Sequence, residues 1–134
     1  MLGPNRGVKK KRNRGQAIVE FALVLPIFLL LVLGSMEFGL VFHQYQIVTS
    51  ASREGARVAT LGGTDAEVVA AVKAAASTIN SGSLSTTISP ATRVRGNSVT
   101  VTVTNPVTIQ TPLIAQFITP NPYPVTGKTV MRME

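Results

Sequence analysis

The chain opens its hydrophobic pattern at Ala17 and keeps it apolar to Leu33, broken only by Glu20; low polarity then persists through Met36, Phe38, Leu40 and Val41 to Phe42. About 20 helical residues cross a hydrocarbon core, so this run is long enough to span a membrane. No breaker follows between Val41 and Leu61. Ile47, Ala51, Gly55 and Val58 keep helical spacing as an apolar or small stripe, while Gln46, Ser50, Arg53 and Arg57 fall on another face. The pattern predicts one continuous helix from about Gln16 to Thr60, stopped by Gly62-Gly63.

A second helix is signalled by Thr64-Asp65-Ala66-Glu67, a capping box, with Val68, Val72, Ala75 and Ile79 on one face. After Asn80-Ser81-Gly82-Ser83 the residues become β-branched. Ser98 to Thr104 alternates strictly, valines at 99, 101 and 103 and threonines between them, which predicts a half-buried strand. Gly96-Asn97 reads as a two-residue hairpin turn, pairing this strand with Ala91–Arg95 and possible extension toward Leu84. Pro90 marks a break or an edge. Thr111-Pro112, followed by Leu113, Ile114, Phe117 and Ile118, predicts a short helical turn, and Pro120, Pro122 and Pro124 an irregular crossing. Val125–Met133 is the last strand. This order gives an α+β fold, a small antiparallel sheet covered by helices at the end of a long transmembrane helix. The expected organisation is a basic leader over 1–15, a membrane-spanning helix half over 16–42 and an extracytoplasmic domain over 43–134.

Charge alters the picture once it is divided by region. The net charge of +7 suggests a nucleic-acid or anionic partner, yet Arg6, Lys9, Lys10, Lys11, Arg12 and Arg14 all precede Gln16. From Gln16 onward seven basic residues face six acidic ones, so no nucleic-acid partner is expected. A basic flank before an apolar span stays on the cytoplasmic side, which predicts an inside N-terminus and an exported C-terminal domain. There is no cysteine, hence no disulfide and no thiolate metal site. The roughly seventy residues after Gly62 form a domain of marginal size, for which the second half of the long helix is the natural support.

Gly15-Gln16-Ala17-Ile18-Val19-Glu20-Phe21 resembles the processing motif of type IV prepilins: glycine, four residues, then glutamate and an aromatic at the head of an apolar helix. Arg14 to Pro26, Glu37-Phe38-Gly39, Ala51-Ser52-Arg53-Glu54-Gly55-Ala56-Arg57 and the closing Met131-Arg132-Met133-Glu134 are similar to the TadE-like family of pilus-assembly pseudopilins. The resemblance is specific over about Arg14 to Leu61 and weak in the middle of the exported part. It implies a minor pilin or pseudopilin of a tight-adherence (Flp-type) pilus, in the cytoplasmic membrane or in the pilus. It also implies a prepilin peptidase cutting between Gly15 and Gln16, with other pilin subunits and the assembly platform as partners besides membrane lipid. Glycine leaves that bond accessible, and the basic leader holds it at the cytoplasmic interface. The alternative is an uncleaved single-pass signal anchor, with Gly15 merely separating the flank from the span, that displays a small binding domain.

Glu20 is the main candidate for assembly, because a carboxylate in an apolar segment is costly unless it meets a partner. The resemblance implies that Glu20, with Phe21 beside it, pairs with the N-terminal amine of a neighbouring subunit after cleavage. The other reading has it snorkel toward Arg14. Glu37, about 32 Å along the helix from Gln16, reads as a solvated carboxylate at the far interface. Pro26 either softens the helix or is a tolerated kink, and Ser35 with Gly39 permits close helix approach. Arg53, Glu54 and Arg57 form a charged patch, either a solvated face or a subunit contact. Catalysis is not expected. His43 is the only histidine, Gly127-Lys128-Thr129 has Pro122 where a phosphate-binding loop needs glycine, and Asp65, Glu67 and Glu134 make no convincing acid pair. No cofactor or metal is expected.

Overall fold

The computed structural model describes residues 13–134; the leader's Arg6, Lys9, Lys10, Lys11 and Arg12 lie outside them. Helix α1 covers Asn13–Thr60, α2 Asp65–Ala75 and α3 Pro112–Ala115; strands are β1 Ser85–Ser89, β2 Ser98–Val107 and β3 Tyr123–Arg132. The strands form one antiparallel sheet in the order β1-β2-β3. The α+β class and the long first helix agree with the sequence pattern. The chain divides into two compact units, one ending at Ser35 and one spanning Met36–Glu134.

In the first unit α1 passes through Pro26 without interruption, and its side chains from Ile18 to Leu33 are largely exposed. This is the candidate membrane span, apolar enough and long enough to cross a bilayer.

The second unit is built on the sheet. Alternation in β2 buries Val99, Val101 and Val103 completely while the intervening threonines face outward. Register places Val101 opposite Thr129 and Val103 opposite Gly127, so β3 adds Val125 and Gly127 to the same inner face. From α1 come Val48, Ala51, Ala56 and Ala59, and from α2 Val68 and Val72. Each fully buried valine contributes about 1.5 kcal/mol or more, which is how so small a unit holds together without disulfides.

Two glycines let the layers close. At Gly127 an added Cβ would lie 2.6 Å from the carbonyl carbon and oxygen of Val48 and 2.7 Å from the Thr49 nitrogen, so α1 crosses β3 in direct backbone contact. At Gly55 it would meet a Val72 methyl at 2.6 Å, where α1, α2 and β2 converge. Both ends of the α1–α2 connection follow their sequence signals. The Gly62 and Gly63 amides bond to the Ala59 and Val58 carbonyls with Gly62 at φ +85°, a Schellman stop. Thr64 and Glu67 then form the reciprocal capping box.

Several details differ from the sequence expectation. Strand β2 runs past Thr104 to Val107, and α2 ends at Ala75, short of Ile79. The partner of β2 is Ser85–Ser89, with Ser89 opposite Thr100, and Ala91–Arg95 is loop; Gly96-Asn97 instead turns against the C-terminus, where Gly96 donates to the Met133 carbonyl and Met133 to that of Asn97. The buried position at the end of α2 is the C-cap residue Ala76 rather than Ala75. Strand β3 begins at Tyr123, two residues before the expected Val125, because the outer position of Pro124 needs no ladder donor.

Candidate functional site: the faces of α1

In the first unit, Gly15 is exposed with no atom near its missing side chain, and the adjacent peptide bond to Gln16 lies within the first turns of α1. Gln16 Nε2 donates to Glu20 Oε1 at 3.0 Å, an i to i+4 bond along the helix surface. Glu20 and Phe21 are exposed, Phe21 by 64%. The same turn that brings the Gln16 amide to Glu20 puts the Gln16 backbone nitrogen within one helical turn of that carboxylate. Ser35 satisfies its hydroxyl internally, donating to the Val32 carbonyl at 2.8 Å.

In the second unit, Glu54 and Arg57 form a bidentate exposed pair at 2.5 and 3.1 Å, and Arg53 is exposed beside them. The bond from Arg57 holds the Glu54 carboxyl below the usual carboxylate range and pushes the Arg57 pKa up. Exposure and screening make this a weak contribution to stability.

The inner face of α1 carries polar anchors that pattern reading missed. Glu37 is buried, which corrects its reading as a solvated interfacial carboxylate: its Oε1 accepts from the backbone nitrogens of Gln110 and Thr111 at 3.1 and 2.8 Å and from the Thr111 hydroxyl at 2.8 Å. Gln44 accepts from Asn105 Nδ2 at 3.0 Å, and Asn105 Oδ1 in turn accepts from Ser83. Ser52 shares a 2.7 Å hydrogen bond with Thr129 and donates to the Thr49 carbonyl. Glu37, Gln44 and Ser52 thus fasten α1 successively to the entry of α3, to β2 and to β3. These buried groups are matched donor to acceptor, and such pairing fixes one register of helix on sheet. The sole advance signal for Glu37 was a carboxylate just beyond an apolar run, and its partners lie more than seventy residues away.

Among the described residues no group of three or more His, Asp or Glu side chains converges, and Lys128 and Thr129 sit on opposite faces of β3 rather than on a loop. The Gly127 of that triplet serves the crossing of α1.

Residues 15–57 match the family described as TadE-like protein. The matched stretch runs from the Gly15-Gln16 bond through Glu20, the apolar span, Glu37 and the Arg53–Arg57 patch; Arg14 and the closing Met131-Arg132-Met133-Glu134, on which the sequence resemblance also rests, lie outside it. It suggests a role in tight-adherence pilus systems. No curated protein and no solved structure matches the chain significantly.

Proposed function

We propose that the chain is a non-catalytic, prepilin-like structural subunit, a minor pilin or pseudopilin of a tight-adherence pilus. Its basic leader stays in the cytoplasm, α1 crosses the cytoplasmic membrane, and the α+β unit is exported. A prepilin peptidase cuts between Gly15 and Gln16. The new ammonium of Gln16 and the carboxylate of Glu20 then form the charged pair that a neighbouring subunit or the assembly platform engages. The TadE-like match over 15–57 carries this reading, and the exposed Glu20 bonded to Gln16 supports it. A carboxylate in lipid is expensive, so a partner amine gives subunits a reason to associate in one axial register.

Cells lacking the chain and complemented with variants test it. Wild type restores surface filaments, Gly15→Arg leaves the leader attached and restores none, and Glu20→Ala is processed yet poorly incorporated. Full restoration by Gly15→Arg overturns the reading in favour of an uncleaved signal anchor.

A further inference from the structure

We propose that the uncharged turn Pro112–Ile118 docks onto lipid at the exported end of the span, inserting Leu113 and Phe117 as a second membrane contact beside α1. The inference rests on the membrane-anchored reading above. Leu113 is 55% exposed and Phe117 86%, the highest exposure among the described large apolar side chains. Glu37 fixes where this turn lies. By accepting from Gln110 and Thr111 it ties the entry of α3 to a residue that follows Leu33, the last of the apolar run, by four positions in the sequence. Ile109 and Asn121 close the same loop, the Ile109 amide donating to Asn121 Oδ1 at 3.1 Å.

Charge is partitioned accordingly. No Asp, Glu, Lys or Arg occurs between Arg95 and Lys128, so the whole of α3 and its flanks is free of groups that resist lipid. The carboxylate of Glu37 is buried, and its Oε1 takes all three donors. Phe38, Phe42, Tyr45 and Tyr123 line a groove near the start of β3, with Phe38 and Phe42 stacked at 6.3 Å, as aromatic side chains gather at a bilayer interface. The opposite end of this unit is charged and polar: Arg93 pairs with Asp65, and Arg95 donates to the Glu134 carbonyl. A lipid surface fits that polarity, because an uncharged apolar turn flanked by aromatic side chains is what a segment lying at a bilayer interface buries.

The chain has no tryptophan, so single probes report cleanly. Phe117→Trp, Phe28→Trp and Val94→Trp are each introduced into the full chain and reconstituted in phosphatidylcholine vesicles with or without brominated acyl chains. The indole at 117 is expected to be quenched about twofold or more, as is that at 28, while that at 94 is unaffected. Quenching at 28 but not at 117 overturns the docking alone. A blue shift at 117 that grows with protein density and resists bromolipid shows a second copy as the occupant and also overturns it. Lack of quenching at 28 overturns the membrane-anchored reading and this inference together.

Discussion

Replacing Gly127 by alanine tests how α1 is held on the sheet. The added methyl would stand 2.6 Å from the Val48 carbonyl atoms and 2.7 Å from the Thr49 nitrogen, all of them main-chain atoms of a helix that cannot rotate away. Ordinary contact requires α1 to lift by roughly 0.8 Å, and overpacking of that kind costs about 1–3 kcal/mol. The lift also stretches the 2.7 Å bond between Ser52 and Thr129, worth about 1 kcal/mol. Together these predict a loss of about 2–4 kcal/mol. At about 4–8 °C per kcal/mol for a unit of this size, thermal unfolding in detergent should shift down by at least about 8 °C. Gly39→Ala serves as the control, since no atom lies within 4 Å of its Cβ position, and it should match or exceed wild-type stability. A Gly127→Ala chain within about 0.5 kcal/mol of wild type would refute the close crossing.

Glu37→Ala leaves the Gln110 and Thr111 donors without their acceptor, so amide hydrogen exchange over 108–122 should accelerate at least about tenfold while β2 stays protected; uniform protection across both contradicts the clasp. Thr49→Val removes a buried hydroxyl that has no hydrogen-bond partner, and should raise the urea midpoint by the equivalent of about 1 kcal/mol. Thr64→Ala breaks the capping box and costs about 1 kcal/mol, measurable by the same titration. The backbone amide and then the hydroxyl of Thr64 hold the Glu67 carboxyl below its ordinary value of 4.5, so its contribution is present above that value and is lost as pH falls through the lower folded value; Thr64→Ala keeps the amide donor and loses only the hydroxyl, so it should reduce this acid dependence without abolishing it.

Elements written in local pattern were legible in the sequence. Strict alternation gave β2, Thr64 and Glu67 the start of α2, and Gly62-Gly63 the end of α1. Pairing was harder. Gly96-Asn97 carries a strong turn signal, but Gly96 spends its φ of +87° on the C-terminal contact, and the weak Ser-Thr-Thr-Ile-Ser segment takes the place beside β2. The Gln16–Glu20 proximity follows from helical spacing alone, whereas the Glu37 clasp, the Asn105 bridge and the role of Gly127 depend on which distant residues the fold brings against α1. A carboxylate after an apolar run looks solvated until its donors are known.

The central claim is that the Gly15-Gln16 bond is cut to release a helix headed by Glu20. Intact-mass measurement of the chain from membranes, with an active and with an inactivated cognate prepilin peptidase, tests it most directly. Loss of residues 1–15 only with the active peptidase, leaving Gln16 first, is the expected result. Retention of the leader in both, or cleavage beyond the apolar run, would contradict it.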